Sequence, residues 1–408
     1  MQNRFNYPLV LISQFLGAFG DQMFLWLIIG PLTAQQKQGV ITEQHVNSAN
    51  AFYACMFYAA YVVLAPAAGF LNDRFPKTRW LFGGNVIKII GVLVGSVSLT
   101  SSGPWQAAGY FLIGVGACVF SPAKYGVLPE ILPAERLVKA NGTVEMLTIV
   151  AILTGIIFGA WMTDHYSAGV GYSAVFIVYA LSLVLTLFMS KTPCNPDICV
   201  RASIREFSQH AMSLFRHPRL SRMLLGTGLF WVSGSVMKSN FQSWGLRELG
   251  LTSNTKVSLL SLWLAVGIIG GSMIVGHLHK IGDLRAVRIY GWVMALFIAA
   301  LGFVHQATPE LLTITGLIIT GVFGGLFLIP LNAALQCESD PHKLGKTIAV
   351  QNLIDNLSMI IGGGCVILLS NLGSTASVNF MALALVSAVI IALLKMPALK
   401  PANVTNQS

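Results

Sequence analysis

Long, uninterrupted apolar stretches constrain the fold of this chain more than any other feature of its sequence. Each stretch has about 20 residues, the length at which an α-helix crosses the hydrocarbon core of a bilayer. The strands of a transmembrane β-barrel would alternate polar and apolar residues instead. We therefore predict an all-α polytopic membrane protein with twelve transmembrane helices. The segments are residues 8–32, 48–71, 80–101, 105–126, 140–163, 172–190, 222–245, 257–279, 287–304, 310–336, 346–370 and 377–396.

The composition excludes a water-soluble enzyme, a disordered protein and a fibrous protein. Of the 408 residues, 55% are hydrophobic and 10% are charged, whereas soluble proteins are about 25% charged. The sequence contains no Walker-type nucleotide loop, no His-Glu-x-x-His zinc motif and no histidine–aspartate acyltransferase pattern. The cysteines show no metal-binding spacing. We predict no cofactor, no metal site and no enzymatic activity.

One polar region divides the twelve segments into two sets of six. Residues 191–221 contain several prolines and a dense set of basic residues. We therefore predict an N-terminal six-helix bundle over residues 1–190, a cytoplasmic linker over residues 191–221 and a C-terminal six-helix bundle over residues 222–408.

The distribution of lysine and arginine predicts the orientation in the membrane. If the N-terminus is inside, 19 of the 25 basic residues lie in inner segments, and only Lys37, Arg247 and Lys256 lie in outer ones. Cytoplasmic loops carry such an excess of positive charge, so both termini and the linker are expected in the cytoplasm. The net charge of +10 then reflects contact with anionic membrane lipids rather than with nucleic acid.

The two halves of the chain repeat one another. A shift of about 207 residues aligns Gly69 with Gly276 and Lys139 with Lys346. Parallel repeats of six helices predict a pseudo-two-fold axis along the membrane normal, with a substrate path between the halves near the midplane. The same shift, within one residue, aligns Pro122 with Pro330, Thr148 with Asp355, and Gly155 with Gly362.

Six charged side chains fall inside the apolar segments. A charge in the bilayer core costs several kcal/mol, so such residues are functional-site candidates. Lys124 lies near one end of its helix and could instead snorkel to the interface, and Asn85 could satisfy Lys88 within the N-terminal half. The six residues are Asp21, Lys88, Lys124, Glu145, Lys238 and Asp355.

The fifth and eleventh segments each carry a polar stripe at helical spacing. Each stripe places an acid and a neutral polar residue three positions apart, and the repeat aligns Glu145 with Asn352. Such stripes either line a polar path or form hydrogen bonds between helices. The stripes are Asn141, Glu145 and Thr148 in one helix, and Gln351, Asp355 and Ser358 in the other.

The loop at residues 69–79 resembles the signature loop of the major facilitator superfamily, G-x-L-x-D-R-x-G-R/K-R/K. It departs from that pattern because Pro76 replaces the usual glycine and the last basic residue is displaced by one position. We expect Asp73 to bridge neighbouring helix ends and the basic cluster to lock one closed state. The candidate gating residues are Gly69, Asp73, Arg74, Lys77 and Arg79.

Several further stretches resemble the bacterial lysophospholipid transporter family, LplT. They are residues 13–21, 120–126, 137–142, 329–335 and 349–353. The resemblance implies a flippase of the Gram-negative inner membrane that moves lysophosphatidylethanolamine and related lysolipids from the outer to the inner leaflet without ATP. It also implies a cytoplasmic acyltransferase–acyl carrier protein synthetase that re-acylates them.

The same resemblance implies headgroup contacts by Asp21, Lys124 and Lys238. Relatives are expected to carry arginine at position 238, and lysine gives up bidentate phosphate binding there. We hypothesise that Lys124 or Lys238 engages the phosphodiester, and that Asp21, with Asp355 or Glu145 near it, accepts the ammonium. The substrate-binding candidates are Asp21, Lys88, Lys124, Glu145, Lys238, Asn332, Gln351, Asn352 and Asp355.

The sequence is also compatible with two other functions. Asp21, Glu145 and Asp355 could be the protonation sites of a proton-coupled exporter of drugs or siderophores. Alternatively, the protein could be a membrane assembly partner that transports nothing.

Overall fold

The computed structural model describes residues 5–41, 43–97, 103–194, 197, 200–251, 254–280 and 282–396. Within these ranges the chain forms thirteen α-helices and no β-strand. The helices are Asn6–Lys37 (α1), Glu43–Arg74 (α2), Lys77–Gly95 (α3), Pro104–Ile131 (α4), Leu137–His165 (α5), Ala168–Leu187 (α6), Val200–Arg216 (α7), Pro218–Ser243 (α8), Asn254–Leu278 (α9), Val287–Leu301 (α10), Glu310–Glu338 (α11), Leu344–Asn371 (α12) and Ala376–Leu393 (α13).

The predicted all-α membrane fold is confirmed. Every helix except α7 overlaps one of the twelve predicted segments, and the ends differ by one to two turns at most. Eight of the described helices are long and apolar enough to cross a membrane, judged by length and composition alone. The predicted division into domains at residues 190 and 222 stays a prediction, and α8 already begins at Pro218, inside the predicted linker.

Small residues allow the helices of each half to pack closely. A Cβ atom on Gly91 of α3 would lie 2.7 Å from the carbonyl oxygen of Gly109 in α4. The reverse contact, from Gly109 to the Gly91 oxygen, would measure 2.6 Å. Helices approach this closely in membranes because glycine removes the side chains that would hold the backbones apart.

The predicted linker contains a helix, α7, that the sequence pattern did not predict. α7 is amphipathic, and its apolar residues Phe207 and Leu214 are buried in one cluster with Ala65 of α2 and Ala349 of α12. A short helix in a polar segment is stabilised by packing of its apolar face. We call the end of the molecule that carries α7 the linker face.

The two halves contact one another at the linker face. A Cβ atom on Gly69 of α2 would lie 3.0 Å from the Cα of Lys346 in α12. A Cβ atom on Gly276 of α9 would lie 2.8 Å from the Cα of Lys139 in α5. The repeat aligns the two glycines with each other and the two lysines with each other. The two contacts are therefore equivalent, and one lies on each side of the junction between the halves.

Candidate functional site

A cavity of about 250 Å³ lies between the two halves. Side chains from α1 to α5 form one wall, and side chains from α8, α11 and α12 form the other. Of the nine substrate-binding candidates, only Lys238 is absent from the lining. The lining candidates are Asp21, Lys88, Lys124, Glu145, Asn332, Gln351, Asn352 and Asp355.

Asp21 is neutralised by a partner in its own half. Lys88 Nζ donates to the two carboxylate oxygens of Asp21 at 2.7 and 2.8 Å. The Tyr179 hydroxyl donates to Asp21 Oδ1 at 2.7 Å. The suggestion that Asn85 satisfies Lys88 is wrong, because Asn85 Oδ1, the atom that could accept from the ammonium, has no hydrogen-bond partner in the described part of the chain.

Lys124 and Glu145 lie on either side of Tyr125. Lys124 Nζ is 4.2 Å from the centroid of the Tyr125 ring, and the Tyr125 hydroxyl donates to Glu145 Oε2 at 3.3 Å. Neither charged group has an ion-pair partner within 4.0 Å among the described residues. The alternative in which Lys124 snorkels to the interface is also wrong, because its side chain is buried and lines the cavity.

Asp355 contributes an acid from the opposite wall. Its side chain is 5% exposed and forms no ion pair within the described part of the chain. Thr227, Gln351 and Trp231 approach the carboxyl group, but Oδ1 has no hydrogen-bond partner there. The cavity therefore presents Lys124 from the N-terminal half and Asp355 from the C-terminal half. Neither side chain forms an ion pair within the described part of the chain.

The polar stripes serve both of the predicted purposes. Glu145 and Thr148 line the cavity beside Asn352 and Asp355, the residues with which the repeat aligns them. Asn141, in contrast, exchanges two hydrogen bonds with another residue.

The partner of Asn141 is Gln336 of α11. Asn141 Nδ2 donates to Gln336 Oε1 at 2.9 Å, and Gln336 Nε2 donates to Asn141 Oδ1 at 2.8 Å. This amide pair joins the two halves between the cavity and the linker face. Other polar contacts of the stripes are Thr148 with Gln14, Gln351 with Asn332, and Asn352 with Ser121; Ser358 packs near Gly228.

The segment of residues 69–79, predicted as a loop, forms the end of α2, a short turn at residues 75–76 and the start of α3, and it joins the two halves at the linker face. Asp73 Oδ1 accepts a hydrogen bond from the backbone N–H of Gly345 at 2.6 Å, and Oδ2 accepts one from the N–H of Lys346 at 3.2 Å. A carboxylate at a helix N-terminus satisfies free amides and the helix dipole. The closed state therefore includes a cap on α12 supplied by the other half.

The basic residues of this segment contact side chains of the N-terminal half. Lys77 forms an ion pair with Glu130 at the end of α4. The guanidinium of Arg74 lies 5.6 Å from the centroid of the Phe75 ring, and that of Arg79 lies 5.5 Å from it. These contacts fix the loop, while the gating role of Gly69, Asp73, Arg74, Lys77 and Arg79 stays a prediction.

The linker helix covers this junction. His210 Nε2 of α7 is 3.0 Å from the hydroxyl oxygen of Thr347 in α12, and Lys346 Nζ is 3.5 Å from Glu206 Oε2. Burial, followed by the positive charges of Lys343 and Lys346, lowers the pKa of His210 to about 4. His210 is therefore neutral at pH 7.

Comparison with known proteins places this architecture in a family. A family model described as the Major Facilitator Superfamily matches residues 10–363. A protein named lysophospholipid transporter LplT from Photorhabdus laumondii is 31% identical over 369 residues, which are 89% of this chain and 88% of that protein. The chain belongs to the major facilitator superfamily and, within it, to the LplT family.

Further comparisons agree with this assignment. The LplT protein of Yersinia enterocolitica is 34% identical over 357 residues, covering 86% of this chain and 84% of that protein. The crystal structure of the human organic anion transporter MFSD10 has a TM-score of 0.81 at 13% identity, covering 96% of this chain and 99% of the other. The second comparison shows the shared fold alone.

Lys238 is the candidate that the structure separates from the rest of the site in this LplT family member. Its side chain is exposed and does not line the cavity. It lies seven residues, or two helical turns, beyond Trp231, which does line it. Lys238 therefore lies on the same face of α8 as Trp231, but two turns further along the helix.

Three residues of the site were not predicted from the sequence: Tyr125 and Tyr179 contact charged groups, and Ser121 contacts a neutral residue of the other half. Tyr125 follows Lys124 in residues 120–126, one of the segments that resemble the LplT family, so its position was a signal. Ser121, in the same segment, was not singled out although it contacts Asn352 across the junction. Tyr179 shares one face of the apolar helix α6 with Tyr172, Ser182 and Thr186, and all four side chains are buried. This spacing was a signal for a buried polar face, but it does not specify the contact with Asp21.

Proposed function

We propose that this superfamily member transports lysophospholipids across a bacterial inner membrane. The proposal is supported by membership of a family whose curated members are named lysophospholipid transporters. One structural observation carries it. The cavity between the halves offers Lys124 on one wall and Asp355 on the other, without an ion pair for either among the described residues.

The charges of the cavity fit a zwitterionic headgroup. We propose that Lys124 binds the phosphodiester as a charge-assisted hydrogen-bond donor. Asp355, with Glu145 as a second acid, accepts the ammonium group. Such an arrangement joins the two halves through the headgroup, because Lys124 belongs to α4 and Asp355 belongs to α12.

The size of the cavity fits a headgroup rather than a whole lipid. Pockets that enclose drug-sized ligands measure about 300–1,000 Å³, whereas this cavity measures about 250 Å³. The acyl chain would then extend beyond it, along apolar surface or into the bilayer. A lysolipid, with its single chain, displaces less packed protein or lipid than a two-chain phospholipid would.

Asp21 and Lys238 take different parts in this proposal. The Asp21 carboxylate is held by Lys88 and Tyr179, so we propose that it shapes the field of the cavity without binding the ammonium directly. Lys238 is exposed two turns away from Trp231 and would contact the phosphate on its way to the cavity. A lysine suffices there because a transient contact does not need a bidentate donor.

The orientation and partners belong to the same proposal. The basic residues of the linker and both termini would face the cytoplasm, so the closed linker face would be the cytoplasmic one. The conformation described here would then accept lysophosphatidylethanolamine and related lysolipids from the outer leaflet and release them to the inner leaflet after the halves part. A cytoplasmic acyltransferase–acyl carrier protein synthetase would consume the product.

Transport in reconstituted liposomes tests this function. We expect the purified protein to move fluorescent lysophosphatidylethanolamine between leaflets without ATP, and Lys124→Ala and Asp355→Asn each to lower the initial rate about tenfold or more. Lys395→Ala and Asp164→Asn are matched controls, because both residues are exposed, and they should transport at the wild-type rate. Wild-type rates in both site variants would contradict the proposed site.

Asp355 also favours a second candidate function, proton-coupled export of drugs or siderophores. An acid in a transport cavity without an ion-pair partner in the described chain can carry a proton as well as bind an ammonium. A protonophore separates the two functions, since it would abolish a proton-driven flux and leave lysolipid flipping unchanged. A protein that moves neither class of substrate would instead support the assembly-partner alternative.

A further inference from the structure

Tyr125 occupies the space between the two charged residues that the N-terminal half presents to the cavity. Its ring face supports the Lys124 ammonium at 4.2 Å from the centroid. Its hydroxyl donates to Glu145 Oε2 at 3.3 Å. One side chain thus contacts a cation on α4 and an acid on α5, and it lines the cavity with both.

Opposite charges at this depth are expected to form a direct ion pair. Their attraction grows as the surrounding dielectric constant falls, and Lys124 and Glu145 lie close enough to interact electrostatically. In the same cavity Lys88 and Asp21 have formed such a pair, at 2.7 Å. Lys124 and Glu145 have not formed one within 4.0 Å.

The two contacts of Tyr125 explain the difference between these pairs. An aromatic face attracts an ammonium through its negative quadrupole, and this attraction strengthens when water is excluded. A phenol that donates to a carboxylate forms a charge-assisted hydrogen bond. Lys124 and Glu145 therefore each have a favourable contact with Tyr125, and neither contact neutralises a charge. Lys124 keeps its remaining N–H donors for a ligand.

We propose that Tyr125 is a positioning residue that keeps Lys124 and Glu145 from neutralising one another, so that both remain available to a zwitterionic headgroup. This inference rests on the proposed function and deepens it. The ligand class is a phosphodiester that carries an ammonium group. Without Tyr125, Lys124 would bind Glu145, and the incoming phosphate would have to displace a buried carboxylate.

The proposal predicts a coupling between Tyr125 and Glu145 that a purely structural role would not produce. Tyr125→Leu should raise the KM for lysophosphatidylethanolamine in proteoliposomes about tenfold, because Lys124 collapses onto Glu145. In the Glu145→Gln protein, which has its own higher KM, no carboxylate competes for Lys124, so adding Y125L should raise the KM less than about threefold further. Tyr125→Phe keeps the ring and loses the hydroxyl, and it should raise the KM about threefold in the wild-type background but not in the E145Q background. This milder variant preserves the test if Y125L fails to fold.

A second measurement does not depend on transport. A cryo-electron microscopy structure of the Y125L protein should show Lys124 Nζ within 4 Å of a Glu145 carboxylate oxygen. The inference is overturned if Lys124 and Glu145 remain apart in that structure, or if Y125L raises the KM by the same factor in the E145Q and wild-type backgrounds. Failure of the wild-type protein to move any lysolipid would overturn the proposed function, whereas wild-type transport with equal effects of Y125L in the two backgrounds would overturn only the role of Tyr125.

Discussion

Gly276 of α9 packs against the backbone of Lys139 at the start of α5, where a Cβ atom on the glycine would lie 2.8 Å from the Cα of Lys139. Gly69 and Lys346 make the equivalent contact, at 3.0 Å, on the other side of the junction. Neither glycine leaves room for a side chain. The linker face is therefore closed by two symmetry-related contacts whose residues the sequence repeat aligns.

Replacing Gly276 by a larger residue should open the linker face. We expect Gly276→Leu to shift the population toward a state in which the halves part there, because the new side chain must displace the Lys139 backbone. Spin labels at the exposed residues Glu135 and His342 report the distance between the halves. Gly364→Leu is the matched control, since a Cβ atom there meets nothing within 4 Å. An unchanged distance distribution in G276L would contradict the contact.

The amide pair of Asn141 and Gln336 should also stabilise the closed linker face. Asn141→Leu leaves the Gln336 amide buried without its partner, which costs about 1–3 kcal/mol, so the same spin labels should report more of the open state. N141L/Q336L replaces both amides by apolar groups and should restore most of the closed population. A double variant that is more open than N141L would show that the pair does not act as a unit.

The ion pair of Asp21 and Lys88 should contribute to stability more than to binding. Removing one partner leaves a buried charge without compensation, which costs about 3–5 kcal/mol. We therefore expect Lys88→Met to lower the free energy of unfolding by that amount in detergent, and D21N/K88M to recover most of it. Lys395→Met, at an exposed position, is the control. Equal stability of K88M and the wild-type protein would refute the assignment.

The contact of His210 with Thr347 predicts a pH dependence in the linker helix. An unfolded histidine titrates near 6.5, whereas burial and the charges of Lys343 and Lys346 lower the pKa of His210 to about 4, with Asp340 opposing them. Because the folded pKa is the lower one, this contribution to stability is complete above about pH 6.5 and is lost as the pH falls through about 4.

Hydrogen exchange checks this dependence. Exchange of the α7 amides, corrected for the intrinsic rate at each pH, should accelerate between about pH 6.5 and pH 4 in the wild-type protein. His210→Gln can keep a polar contact with Thr347 and does not titrate, so the acceleration should disappear. The same acceleration in H210Q would assign it to another group, such as Glu206.

The sequence was sufficient for the twelve apolar helices and for eight of the nine substrate-binding candidates in the cavity, but not for the pairing of their side chains. Hydrophobic segments report the presence of a helix, whereas the rotation of one helix against another decides which charges meet. Lys88 lies 67 positions from Asp21, and no local pattern specifies that they bind. The repeat did carry long-range information, because Glu145 and Asn352 face the same cavity as it implies.

The linker helix and Lys238 show two other limits of sequence reasoning. α7 lies in a polar segment, where its amphipathic face is a weaker signal than a continuous apolar run. Lys238 was placed at the site because a lysine should avoid lipid. That argument excludes a lipid-facing position, but it does not specify the depth at which the side chain lies along α8.

The central claim is that Lys124 and Asp355 hold opposite ends of one headgroup. Transport of two lysolipids in proteoliposomes tests it, since lysophosphatidylethanolamine has an ammonium and lysophosphatidylglycerol has none. Asp355→Asn should raise the KM for the first lipid about tenfold, equivalent to about 1.4 kcal/mol, and leave that for the second unchanged. Lys124→Ala should raise both. Equal effects of D355N on the two lipids, or no effect of K124A on either, would contradict the account.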